Sequence, residues 1–163
     1  MLVSLDLTAA FDTINHSKLL CRLSSEYGFC GNALRWLETY LIGRQQYVKV
    51  SQSSGSLTDC STGVPQGSVL GPLLFTIYIS PISRLVATYG VDHHKYADDT
   101  ELQKASPPSD FTSIRDDTAN CIADVKQWMN DNKLKLNEDK TELLAVADRF
   151  RLNQVDKSHI QIG

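Results

Sequence analysis

The chain has 163 residues, which predicts one domain, and its 42% hydrophobic and 21% charged residues exclude a disordered or fibrous polypeptide. No apolar run reaches the roughly 18 residues of a membrane span, and residues 1–5 lack the basic start of a secretory signal. The net charge is −3, from five basic against four acidic residues over 1–50, two against four over 51–100 and nine against eleven over 101–163; a free-standing nucleic-acid binder shows a basic stripe, and this chain has none. Cys21, Cys30, Cys60 and Cys121 are scattered without CxxC or zinc spacing, which predicts free thiols in a reducing compartment.

Residues 2–7 are apolar except at Ser4 and Asp6, which predicts one buried strand. Leu19, Leu20, Leu23 and Tyr27 recur at helical spacing over 17–27, with Ser17 as the expected N-cap. A second helix follows over 32–41, ended by Gly43. Residues 46–51 alternate, with Val48 and Val50 on one side, then Ser53-Ser54-Gly55-Ser56 reads as a hairpin turn and 57–61 as the returning strand. After a loop at 63–67, residues 68–85 form a long apolar stretch, expected as one helix despite Gly71-Pro72 and Pro81. Strands are expected at 91–96 and 100–103 around an Ala97-Asp98-Asp99 turn, a loop at 105–110, an amphipathic helix over 113–130, and strands at 134–136 and 143–146. This order predicts an α+β fold, helices covering one face of an antiparallel sheet in the manner of a split βαβ.

Three carboxylates stand out. Asp6 interrupts a strand that otherwise reads as core, where an unpartnered carboxylate is costly. Asp98 and Asp99 sit at a hairpin tip. Converging carboxylates suit a hard divalent cation; a lysine partner for Asp6 and a plain turn at Asp98-Asp99 form the plainer alternative.

Four segments bear on that choice. Residues 5–12 read Leu-Asp-Leu-Thr-Ala-Ala-Phe-Asp, residues 62–75 include Gly-Val-Pro-Gln-Gly-Ser, residues 96–99 read Tyr-Ala-Asp-Asp, and residues 134–142 read Leu-Lys-Leu-Asn-Glu-Asp-Lys-Thr-Glu. In this order and at these distances they resemble motifs A, B, C and D in the palm of reverse transcriptases, those of non-LTR, LINE-like retrotransposons in particular. The resemblance runs through nearly the whole chain. It implies a polymerase palm with a ferredoxin-like core and the activity of an RNA-directed DNA polymerase. A primer 3′-hydroxyl would attack the α-phosphate of a deoxynucleotide, assisted by Mg²⁺ or Mn²⁺.

By the same resemblance, Asp6 and Asp98 would bind both metals, Asp99 would assist, and the Leu7 carbonyl would contact a metal. Phe11 would lie beneath the sugar and exclude a 2′-hydroxyl, although on its own it reads as core. Gln66 and Gly67 would meet the nucleotide, Gly63 and Pro65 the template side, and Tyr96 and Ala97 the primer end. Lys140 would reach the pyrophosphate and donate a proton; a solvated lysine near Glu138 and Glu142 is its plainer reading. Asp12 reads either as part of motif A or as a helix cap. The implied partners are an RNA template, a DNA primer and a deoxynucleoside triphosphate, and the implied location is intracellular, nuclear or cytoplasmic.

Motif A stands at the first residues and the chain ends soon after motif D, so residues 1–146 are expected as the palm core and 147–163 as a connection, with fingers and thumb missing. That expectation accounts for the acidic balance and predicts weak nucleic-acid binding by the chain alone. It also leaves a second reading, a non-catalytic folded remnant of a retrotransposon. Asp92-His93-His94 matches the letters of DHH-type phosphoesterases, without the further motifs those enzymes need. Gln103 and Lys95 depart from the reverse-transcriptase pattern, and His16 and His159 look isolated.

Overall fold

The computed structural model describes residues 1–96, 99–105, 107 and 110–144, with backbone only at 96, 111, 112 and 143. The expected residues Ala97 and Asp98, His159, the end of the 143–146 strand and the whole of 147–163 lie outside the described residues. The architecture is α+β with antiparallel sheets, and it divides into two compact units. One takes Met1–Ala10 with the described residues from Ile79 onward; the other is Phe11–Tyr78.

The first unit is built on a four-stranded antiparallel sheet. Its strands are β1 (Leu2–Leu5), β7 (Asp92–Tyr96), β8 (Asp99–Gln103) and β10 (Glu142–Leu144), in the order β10-β1-β8-β7. Alternation fixes its two faces. Val3 lies opposite Leu102 and Leu5 opposite Thr100, all buried, while Ser4 lies opposite the exposed Glu101. Helices α4 (Pro81–Ala87) and α5 (Phe111–Asp131) pack against each other, α4 beside β7 and α5 beside the short strand β9 (Lys135–Leu136). Helix α5 buries Ile114, Thr118, Cys121, Ile122, Val125 and Met129, a stripe at helical spacing. Each fully buried aliphatic side chain of this kind contributes roughly 1.5–3 kcal/mol. Burial also pushes the Cys121 thiol up to about 11. All four cysteines are free.

The expected strand over 2–7 is two strands. Leu2–Leu5 pairs with β8 and β10, whereas β2 (Leu7–Thr8) pairs with β9, and Asp6 is the residue at which the chain changes partners. Ala9 then takes φ +48, a left-handed turn that an alanine rarely adopts.

The second unit holds α1 (His16–Ser25), α2 (Gly31–Leu41) and most of α3 (Leu70–Ile79). The cap of α1 is Asn15, not Ser17: the Asn15 Oδ1 accepts the Lys18 amide at 2.9 Å, and the helix begins at His16. The ribbon between α2 and α3 also differs. Strand β3 (Gln45–Gln46) pairs with β6 (Thr58–Asp59), and β4 (Lys49–Val50) pairs with β5 (Ser53–Ser54). The chain therefore reverses at Ser51-Gln52, with Ser51 at φ +53, and not at 53–56. Gly55 stays in the ribbon, its amide on the Val48 carbonyl at 2.8 Å. Tyr47, Val48, Val50 and Leu57 are all exposed, so this ribbon has no buried side.

Residues 68–85 are not one helix. Pro81 has no amide hydrogen to continue α3, so it opens α4 instead. The window Leu70–Ala87 does reach 18 residues at a mean hydropathy of 1.4, which corrects the expectation that no apolar run was long enough for a span. Within it Leu74, Phe75, Tyr78, Ile79, Ile82 and Val86 are buried, the pattern of core helices.

Candidate active site

The first unit gathers one set of expected residues. The β1–β8 register runs Leu2 with Gln103 to Leu5 with Thr100. That ladder ends at Leu5, so Asp6 follows directly on β1 and Asp99 directly precedes Thr100 at the same end of the strand pair. Asp99 is exposed, and the Asp6 side chain is 26% exposed. Two residues of the motif D segment converge on Asp6. Asn137 donates its backbone amide to the Asp6 carbonyl at 2.8 Å and its Nδ2 to the Asp6 Oδ2 at 2.9 Å. The Lys140 Nζ stands 4.0 Å from the same oxygen, on a side chain that is 71% exposed. Because Asp6 and Asn137 form a hydrogen-bonded pair, the next pair, Leu7 with Leu136, is a non-bonded one; the Leu7 carbonyl therefore points away from β9.

A tight turn at Glu138–Lys140 presents Lys140. It is tethered by Glu138, whose carboxylate meets the Lys126 ammonium of α5 at 2.5 Å. That hydrogen bond, then the Lys126 charge, holds the Glu138 carboxyl below its usual range. Glu138 is thus the partner of Lys126, while Lys140 faces Asp6. Asn137 was missed by sequence reading, although it stands inside the motif D segment.

Strand β7 separates the letters of Asp92-His93-His94. Asp92 lies opposite Gln103 and His94 opposite Glu101, while His93 lies opposite the buried Leu102 on the other face. Desolvation, then the charge of Lys95, lowers the His93 pKa. Three side chains alternating across a strand do not share one metal, and no group of three His, Cys, Asp or Glu able to hold a metal occurs among the described residues. Lys95 turns toward α4, its ammonium on the Ser83 hydroxyl at 2.6 Å, and burial lowers its pKa. Tyr96 pairs through its backbone with Asp99.

The second unit gathers the other set. Residues 11–16 and 62–66 are laced together. The Val64 amide donates to the Phe11 carbonyl and the Gly63 amide to the Ile14 carbonyl, each at 2.8 Å. The Thr62 hydroxyl donates to the Asp12 carbonyl at 3.0 Å, and the Gln66 Nε2 lies 3.4 Å from the Asp12 Oδ1. Asp12 is therefore a partner of Gln66 and not the cap of α1. The approach requires glycine at 63: its φ is +85, and a Cβ there would stand 2.9 Å from the Asp12 backbone. The Phe11 ring packs on Phe75 of α3, centroids 4.9 Å apart and planes at 31°. A polar groove of about 680 Å³ opens beside this lacing, lined by Asp12, Arg44, Asp59, Gly63, Pro65 and Gln66. Gly67, at φ +75, has open space around it.

The α+β fold carries, in separate units, a carboxylate at a strand exchange and a glycine-dependent loop laced to residues 11–16, and the family comparison gives its class. The family model described as reverse transcriptase (RNA-dependent DNA polymerase) matches residues 1–158, and the chain belongs to that family. Among curated relatives, it is 27% identical over 150 residues to the RNA-directed DNA polymerase from mobile element jockey of Drosophila melanogaster, which covers 89% of this chain and 16% of the relative. It is 30% identical over 146 residues to the probable RNA-directed DNA polymerase from transposon BS of the same organism, covering 85% and 16%. The chain thus spans about one sixth of the length of these relatives. Among solved structures, telomerase from Candida albicans, in complex with a fragment of telomeric RNA, aligns with a TM-score of 0.68 at 13% identity, over 88% of this chain and 27% of that one. Apo telomerase from Candida tropicalis aligns with a TM-score of 0.64 at 13% identity, over 91% and 31%. At that identity the likeness is one of fold.

Proposed function

We propose that the chain is the palm of an RNA-directed DNA polymerase and transfers a deoxynucleotide to a primer 3′-hydroxyl, with fingers and thumb supplied from elsewhere. In this reading residues 1–146 are the palm core, of ferredoxin-like split βαβ type, and 147–163 lead toward a C-terminal region. The observation that carries the proposal is the end of the β1–β8 ladder, where Asp6 follows Leu5 and Asp99 precedes Thr100.

Carboxylate oxygens at that position suit a hard divalent cation such as Mg²⁺ or Mn²⁺. Asp6 and Asp98 would hold it, with Asp99 and the Leu7 carbonyl beside them. Bound there, the cation would neutralise phosphate charge and lower the pKa of the attacking hydroxyl. The chain's own groups do the rest by positioning, which is what phosphoryl transfer chiefly requires. Asn137 orients the Asp6 carboxylate through its Nδ2, while its backbone amide holds the Asp6 carbonyl. Lys140, on an exposed stem, would meet the leaving pyrophosphate and hold a proton at Nζ. Phe11, backed by Phe75, would border the sugar. Gln66 and Gly67 would contact the nucleotide, Gly63 and Pro65 the template, Tyr96 and Ala97 the primer end.

One observation favours the remnant reading: the Asp6 carboxylate is engaged by the Asn137 amide and faces the Lys140 ammonium within the chain itself. Primer extension separates the two. The chain is exchanged for the matching segment of the jockey polymerase and assayed on a primed RNA template with deoxynucleotides and Mg²⁺. The proposal expects extension that Asp98→Asn and Asp6→Asn each abolish. An exchanged enzyme without activity, or one indifferent to both substitutions, supports the remnant.

A further inference from the structure

We infer that His16 is a positioning residue: its Nε2–H holds the Gly63 carbonyl and thereby fixes the loop that presents Gln66. His16 is the first residue of α1 and only 7% exposed, and its Nε2 lies 2.7 Å from the Gly63 oxygen. A carbonyl can only accept, so this nitrogen carries the proton. Two main-chain bonds run the other way, from the Gly63 and Val64 amides to the carbonyls of residues 14 and 11. They leave the Gly63 carbonyl to His16.

The pin is mounted on a fixed element. Leu19 and Leu23 of α1 are fully buried, and the Arg22 guanidinium lies 5.3 Å over the Tyr78 ring and donates to the Tyr78 carbonyl. The Asn15 amide faces the Tyr78 hydroxyl at 3.4 Å. Helix α1 therefore sets where Nε2 stands, and Nε2 sets Gly63, the residue at which a Cβ would stand 2.9 Å from the Asp12 backbone. Gln66 follows three residues later, against Asp12. That the positioned loop meets a nucleotide rests on the polymerase reading; the pin itself does not.

The test uses the 163-residue chain without nucleic acid, so its failure leaves the polymerase reading standing, and failed primer extension leaves the pin standing. Two readouts are taken: the imidazole tautomer of His16 by ¹⁵N NMR, and amide hydrogen exchange over residues 62–67 in the parent, His16→Phe and His16→Gln. The expected tautomer has Nε2 protonated. His16→Phe fills the space without a donor, and exchange at Gly63 and Val64 should rise roughly tenfold, the scale of one buried hydrogen bond. His16→Gln, whose amide reaches the same position, should restore most of the protection, and α5 should be unaffected throughout. An Nδ1-protonated ring overturns the inference on the parent chain alone. So does unchanged protection in His16→Phe, or a Gln variant as unprotected as the Phe one.

Discussion

Gly63→Ala and Gly67→Ala isolate the lacing of residues 11–16 to 62–66. Both glycines take a left-handed backbone, φ +85 and φ +75. An L side chain there costs about 1–2 kcal/mol, and the stiffening of the unfolded chain by alanine is the same for both. These contributions cancel in the comparison. What remains is contact: at Gly67 a Cβ meets nothing within 4 Å, whereas at Gly63 it meets the Asp12 Cα and carbonyl oxygen at 2.9 Å and the Phe11 oxygen at 3.0 Å. All three atoms are backbone and cannot swing aside. Relief requires the two segments to separate, straining their hydrogen bonds, an overpacking cost of about 1–3 kcal/mol. At about 2–4 °C per kcal/mol for a chain of this size, Gly63→Ala should melt about 2–12 °C below Gly67→Ala. Thermal denaturation followed by circular dichroism measures this, and amide exchange at Val64 locates it. Equal losses in the two variants would refute the close approach.

Phe11→Val, in the exchanged polymerase, should admit ribonucleotides on the order of a hundredfold more readily; equal ribonucleotide use by parent and variant would make the ring a packing partner of Phe75 alone. Lys133→Gly should stabilise the chain by about 0.5–1 kcal/mol, because Lys133 ends α5 at φ +63 in a Schellman turn, with the Leu134 amide on the Met129 carbonyl at 2.9 Å; an unchanged denaturation midpoint contradicts this. Burial lowers the Lys95 pKa from its ordinary 10.5, so between the lowered value and 10.5 the unfolded chain binds more protons and stability rises with pH. Lys95→Met should therefore compare best with the parent near neutral pH and lose that advantage toward pH 10.5; a stability difference independent of pH would contradict it.

The motifs were legible because their chemistry is local: Asp6, Asp99, Gln66 and Lys140 stand in short strings whose residue types are constrained. Partner exchange is not local. An apolar run from Leu2 to Leu7 looks the same whether it meets one neighbour or two, so the break at Asp6 could be found only with β9 in place. The turn was misread because Ser53-Ser54-Gly55-Ser56 carries the stronger turn composition, while the reversal at Ser51 uses a left-handed serine that no pattern announces. Asn15 and Ser17 are both good caps two residues apart, and only geometry chose between them. His16 looked isolated because its partner is Gly63, 47 residues away. Asn137 stood inside a recognised segment, but its two bonds to Asp6 span 131 residues.

The central claim is that Asp6 and Asp98 hold the cation that nucleotidyl transfer needs. Mn²⁺ titration of the chain, followed by electron paramagnetic resonance, tests it most directly, with Asp92→Asn on β7 as the control. The account predicts saturable binding that Asp6→Asn and Asp98→Asn each weaken at least about tenfold, the scale of one lost carboxylate ligand, while Asp92→Asn binds like the parent. The same affinity in all four proteins, or no saturable binding in the parent, would contradict it.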